Sequence, residues 1–250
     1  MDNKKIEKLT VVLERLNKEG VTEEIRKEAL KLVAEVNPLE LSIAEQNLIE
    51  KGMKPQDLRH LCDIHMEVLK GELDKVKSKL EPGHVVYTFI SEHDKILEFL
   101  TRLEEINTKL QKADNYKDNI ENIEELKYVI EKILDAENHH QREERVLFEE
   151  MESRKITGPT RIMRMEHEDL RAKKRLILNL AVNAENLDFQ DFKLQLKDAT
   201  EYLIYNLRDH IFKENYILYP TAVEAIKDKA VWLEMKKACD EIGYCSFTTL

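Results

Sequence analysis

Histidine and glutamate recur in this chain at a spacing that lets a helical bundle turn them toward one interior point. Of eight histidines, six lie between residues 84 and 214: His84, His93, His139, His140, His167 and His210. The segments His139–Glu144 and His210–Glu214 both contain His-x-x-x-Glu. Residues four apart on an α-helix stand one turn apart on the same face. Neutral imidazole and carboxylate are ligands for iron, manganese or zinc. A four-helix bundle that binds two metal ions supplies such groups inward from facing helices.

Composition permits that architecture and excludes others. With 250 residues the chain has room for one or two domains and a sizeable core. Six glycines, five prolines, 36% charged and only 6% aromatic residues describe an all-α protein. The formal net charge is −10, with basic residues mixed among acidic ones, so no general basic face is offered to nucleic acid. No apolar run approaches a membrane span, and the opening Met-Asp-Asn-Lys-Lys lacks the apolar core of a signal peptide. Cys62, Cys239 and Cys245 are too few and too scattered for a disulfide framework. These features predict a cytoplasmic protein with free thiols, no membrane and no nucleic-acid partner.

Glycine and proline punctuate the chain. Helices are expected at about 3–18, 23–35, 39–51 and 56–80, forming a small N-terminal helical domain over 1–80. Asn37-Pro38-Leu39-Glu40 supplies a cap, a first-turn proline and a capping-box acid for the third of them. Glu81-Pro82-Gly83 is the strongest break, and the domain boundary is placed there. Four longer helices follow at about 84–112, 118–153, 160–184 and 189–219, with a tail helix at about 228–241. Short connections between amphipathic helices favour an up-down four-helix bundle over 84–222, followed by a tail over 223–250.

Helical rotation sorts the histidines. On the first long helix Val86, Ile90, His93, Leu97 and Leu100 share a stripe, whereas His84 falls outside its phase or precedes the helix. The third carries Met163, His167, Leu170 and Ala181, and the fourth Ala199, Leu203, Leu207, His210, Glu214 and Ile217. The second helix gives two answers. Its apolar stripe, Leu126 to Met151, centres on His140 with Glu144 one turn on. An ungapped match of His139–Phe148 to His210–Tyr219 instead selects His139 and Glu143. A single histidine on an apolar face is most often a hydrogen-bonded core residue. Four helices that each place histidine inward, two with a glutamate one turn later, fit a metal site better, because coordination removes the cost of burying unpaired ionisable groups. Cys62-x-x-His65 is half a metal motif with no second pair nearby, and is read as structural.

The pieces Glu92-His93-Asp94, His139-His140-x-x-Glu143-Glu144-x-x-Leu147-Phe148, Glu166-His167-Glu168 and His210-x-x-x-Glu214-x-x-x-Leu218-Tyr219-Pro220 resemble the hemerythrin-like, or HHE cation-binding, domain. The resemblance covers about 84–220. It implies a bundle around two non-haem iron ions bridged by carboxylates, with His93, His139, Glu143, His167, His210 and Glu214 as ligands and His84 or His140 as a seventh. Leu61-Cys62-Asp63-Ile64-His65, Gly83-His84 and Asp240-Glu241-Ile242-Gly243-Tyr244 resemble a bacterial and archaeal group with an N-terminal helical domain of unknown function. Oxygen-carrying hemerythrins have a second histidine where this chain has Arg171, and end on His-x-x-x-x-Asp rather than His-x-x-x-Glu. Fewer histidines leave a coordination position open, which weakens the oxygen-carrier reading.

The function expected is binding or sensing of O2, NO or peroxide at a di-iron centre, with iron preferred over manganese or zinc. The N-terminal domain would join the site to a protein partner or a homodimer. A di-iron enzyme (peroxide reduction, ferrous oxidation or iron–sulfur repair) and a structural bundle with a vestigial site are the alternatives.

Overall fold

A computed structural model describes residues 3–19, 38–52 and 80–249, together with positions 22, 24, 27, 28, 31, 32, 35, 77 and 78. Most of the helix expected at 23–35, nearly all of that at 56–80, and the Cys62/His65 pair lie outside the described residues. Among the described residues every regular element is helical. The chain divides into two compact units, Met1–Glu81 with Glu144–Arg164 and Phe212–Met235, and Pro82–Glu143 with Met165–Ile211 and Lys236–Leu250.

In the first unit α1 (Asn3–Glu19) packs on α2 (Pro38–Glu50). Ile6, Leu9 and Val12 of α1, three residues apart, and Leu41, Ala44 and Leu48 of α2, three and four apart, are buried. Pro38 opens α2, where its missing N–H costs nothing. Gln46 fixes α2 to the 155–158 link: its Oε1 accepts from the N–H groups of Thr157 (3.1 Å) and Gly158 (3.2 Å). A Cβ on Gly158 would stand 3.1 Å from the Cβ of Gln46, so only glycine allows this approach without displacement.

The second unit is built on α3 (Val85–Gln111), α4 (Ile120–Asp135), α5 (Glu137–Arg142), most of α7 (Gly158–Asn183) and most of α8 (Phe189–Lys213). The intervening α6 (Phe148–Ser153) belongs to the first unit. Gly83, at φ +87, stops the preceding chain, and His84 caps α3 by accepting from Val86 N–H at 3.2 Å. Leu100, Leu103 and Leu110 of α3 interlock with Leu126, Val129 and Ile133 of α4, Leu170 and Ile177 of α7, and Phe192, Leu196 and Leu203 of α8. Each such side chain contributes about 1.5–3 kcal/mol when fully buried.

The second and fourth long helices are not the uninterrupted rods their periodicity predicted. After Asp135 the backbone breaks at Ala136 (ψ 0) before α5 begins, and a π-helical turn runs from Glu143 to Leu147. A second π-helical turn, Glu214–Leu218, follows α8 and leads into α9 (Tyr219–Ala225). Each π turn starts at the glutamate of a His-x-x-x-Glu segment. Such turns insert a residue and rotate the side chains beyond it, and they concentrate at functional sites. Helix also persists past Pro220, because that residue sits in the first turn of α9, where a proline is tolerated. Helix α10 (Lys229–Ile242) ends at Gly243, φ +93, and the segment Tyr244–Thr248 returns onto α3, α4 and α5.

Candidate metal centre

Helices α3 and α5 bring His93 and His139 together with Nε2 atoms 3.1 Å apart. The Nδ1 of His139 lies 2.7 Å from Oε2 of Glu92, which is buried beside His93 on α3. A histidine that donates Nδ1–H to a carboxylate keeps its lone pair on Nε2, the arrangement found behind metal ligands. Arg142 also clasps Glu92, with Nη2 at 2.6 and 2.7 Å from its two oxygens. Burial works against ionising Glu92, but His139 and Arg142 outweigh it and lower its pKa to about 2.

Helices α7 and α8 repeat the pattern. His167 and His210 approach at 3.0 Å between Nε2 atoms, and His210 Nδ1 is 2.9 Å from Oε2 of Glu166, the residue before His167. His140 adds a third ring here, stacked on His167 at 4.0 Å with 12° between planes. Its Nδ1 is buried without a hydrogen bond, 4.0 Å from the nearest Glu137 oxygen. Burial, then the proximity of His167 and Lys174, holds the His140 pKa well below its ordinary value, so this ring is neutral and carries a lone pair.

Glu143 stands between the two histidine pairs, its Oε2 3.4 Å from His139 Nε2 and 3.5 Å from His167 Nε2. His140, His167 and His210 form a buried grouping with ligand atoms mutually within 4.8 Å. Burial opposes protonation of His139, yet Glu143 and Glu92 raise its pKa to about 9, so a cation arriving at Nε2 would displace a proton to reach the lone pair. Buried imidazoles with lone pairs converging on carboxylates are a donor set suited to first-row divalent cations. The residues present therefore fit a bound metal.

The Hemerythrin HHE cation binding domain model matches residues 84–222, more than half of the chain. The chain belongs to this hemerythrin family. A second model, a family of unknown function (DUF438), matches residues 9–75. No curated protein matches. The two matches give the architecture expected from the sequence, an N-terminal helical region followed by the hemerythrin-like bundle. No helix among the described residues is long and apolar enough to cross a membrane.

Of the residues expected at the site, His93, His139, His140, Glu143, His167 and His210 come together within the second unit, Glu214 is buried at the head of the second π turn, and His84 and Glu144 join no grouping. His84 serves as the cap of α3. Glu144 is half-buried, and its backbone oxygen accepts from Arg164 Nη2 at 3.0 Å. The stripe and the internal repeat had selected different histidines on the second helix, and both rings are buried. His139 and His140 are neighbours on α5, about 100° apart, and turn toward different pairs. Glu143, at the head of the π turn, is the buried one of the two glutamates.

Sequence reasoning missed Glu92, Glu166 and Arg142 as working groups. A signal was present: a Glu-His doublet occurs at Glu92-His93 and again at Glu166-His167. The glutamate is rotated about 100° from its histidine, which aims it at the imidazole of the neighbouring helix.

Proposed function

We propose that this hemerythrin-like domain holds two non-haem iron ions and binds O2, NO or peroxide at them. The observation that carries the reading is the pair of facing histidines in each half, with Glu143 between the halves. In it, His93 and His139 serve one ion and His167, His210 and His140 the other. Glu143 and Glu214 would supply carboxylate oxygens. Iron is preferred to manganese or zinc because a mixed His/Glu set with linking carboxylates suits a redox pair. Bound iron would supply reversible electron exchange and an open position for a small ligand. The chain's own residues do the rest. Glu92 and Glu166 hold the rings of His139 and His210 and strengthen their lone pairs. Ile96, Leu100, Leu170 and Leu207, from the same helices, keep water from the interior.

The boundary at residues 81–83, a helical region over 1–80 and a tail over 223–250 complete the proposed organisation, in a cytoplasmic protein. The N-terminal region would pass the state of the site to a partner protein or a second copy.

Elemental analysis and an optical spectrum of anaerobically purified full-length protein, before and after O2 and NO, test this reading. Close to two irons per chain and a new absorption band with either gas are expected. Zinc alone, or no metal after iron supplementation, would overturn it.

A further inference from the structure

The two halves differ in what stands behind their glutamates. We propose that the segment Gly243–Thr248 is a positioning element for the His93/His139 half, acting through Glu92. This rests on the metal reading above and concerns groups that the reading leaves unused.

Thr248 Oγ1 donates to Oε1 of Glu92, a residue 156 positions earlier. Arg142 closes the other side of the carboxylate, and the segment also holds Arg142. The guanidinium lies 4.6 Å from the Tyr244 ring centroid, with Phe89 at 5.2 Å on α3. Its Nη2 is 3.9 Å from Cys245 Sγ, and its Nε donates to Asn138 O at 3.1 Å. Four anchors fix the segment itself. Asn138 Nδ2 donates to Tyr244 O (3.0 Å), Ser246 N–H donates to Asp135 (2.6 Å), Lys132 donates to Ser246 Oγ (2.9 Å), and Phe247 meets Phe99 edge to face at 5.3 Å. Cys245 is buried. So many directed contacts on six residues describe a seated strap, and its last polar group ends on the carboxylate that orients His139.

The chemical consequence follows from competition for Glu92. Its oxygens are shared among the His139 Nδ1, Arg142 and Thr248. Each extra donor draws electron density away and weakens the pull on the His139 Nδ1–H. A weaker pull leaves Nε2 a poorer electron donor to a bound cation. Removing the Thr248 hydroxyl therefore strengthens the Glu92–His139 bond and favours the more oxidised metal.

The test compares full-length, iron-loaded wild type with Thr248→Val and Thr248→Ser by spectroelectrochemical titration, with iron content and thermal melting measured on the same samples. Thr248→Val is expected to load iron and to raise the oxidised-to-reduced ratio at fixed potential about three- to tenfold, the upper value being about 59 mV for one electron. Thr248→Ser is expected to match wild type. Serine rescue separates positioning through the hydroxyl from simple packing. An unchanged potential in an iron-loaded Thr248→Val protein, or a serine variant that behaves like valine, would overturn the strap's role and leave the metal reading intact. Wild type that takes up no iron would overturn both.

Discussion

The His93/His139 half and the His167/His210 half are built alike and buttressed differently. In both, a Glu-His doublet on one helix meets a histidine of the next, imidazole to imidazole and carboxylate to Nδ1. Behind the first, Glu92 is fully enclosed by Arg142 and Thr248. Behind the second, the Glu166 side chain keeps 16% of its exposure. The second half has gained a third ring, His140, and the buried Lys174 nearby. Local geometry was thus repeated while the surroundings diverged. Two ions held this way would experience unequal charge and unequal access.

The largest test of that inequality is to remove one histidine from each half. His139→Ala and His210→Ala should each lower iron from about two ions per chain to one or fewer, measured by elemental analysis. Loss of a single ion in each case would make the halves independent; loss of both in either would assign the coupling to the shared carboxylate of Glu143. Full iron content in both variants would break the comparison at its root.

Stripping the metal from wild type comes next. A cation bound only by the folded state adds about 4 kcal/mol when its free concentration is a thousandfold above Kd. Apo protein should melt clearly below the holo form in calorimetry, and identical melting curves would count against a structural metal core.

The carboxylates sharpen the contrast further. Glu92→Ala leaves Arg142 buried beside an empty space and should cost about 3–5 kcal/mol in urea unfolding. Glu166→Ala removes a hydrogen bond at a partly hydrated position and should cost about 1 kcal/mol. Equal costs would show that the enclosure of Glu92 has no energetic weight.

The smallest expected effect lies on the second helix. Glu144→Ala should leave iron content unchanged and stability within about 0.5 kcal/mol, while His140→Ala should weaken retention by the second half, read as faster release to a chelator. Weakened iron retention in Glu144→Ala as well as in His140→Ala would mean that the apolar stripe was right to pair His140 with Glu144.

The sequence was sufficient for much of this. Scarce glycine and proline, apolar residues at three- and four-residue spacing, and histidine on four stripes are local and periodic signals, and they determine helices and inward faces without reference to the rest of the chain. The break at Glu81-Pro82-Gly83 was legible for the same reason, since positive φ is a property of one residue. What only the tertiary structure decided begins where periodicity is interrupted. The break at Ala136 and the π turns at Glu143 and Glu214 reset helical phase, and packing against neighbouring helices, not intrinsic preference, selects them. The partners of Glu92 arrive from Arg142 on another helix and from Thr248 at the far end of the sequence. A hydrogen bond between such distant residues leaves no periodic trace, so the pairing became visible only once the helices had brought them within reach.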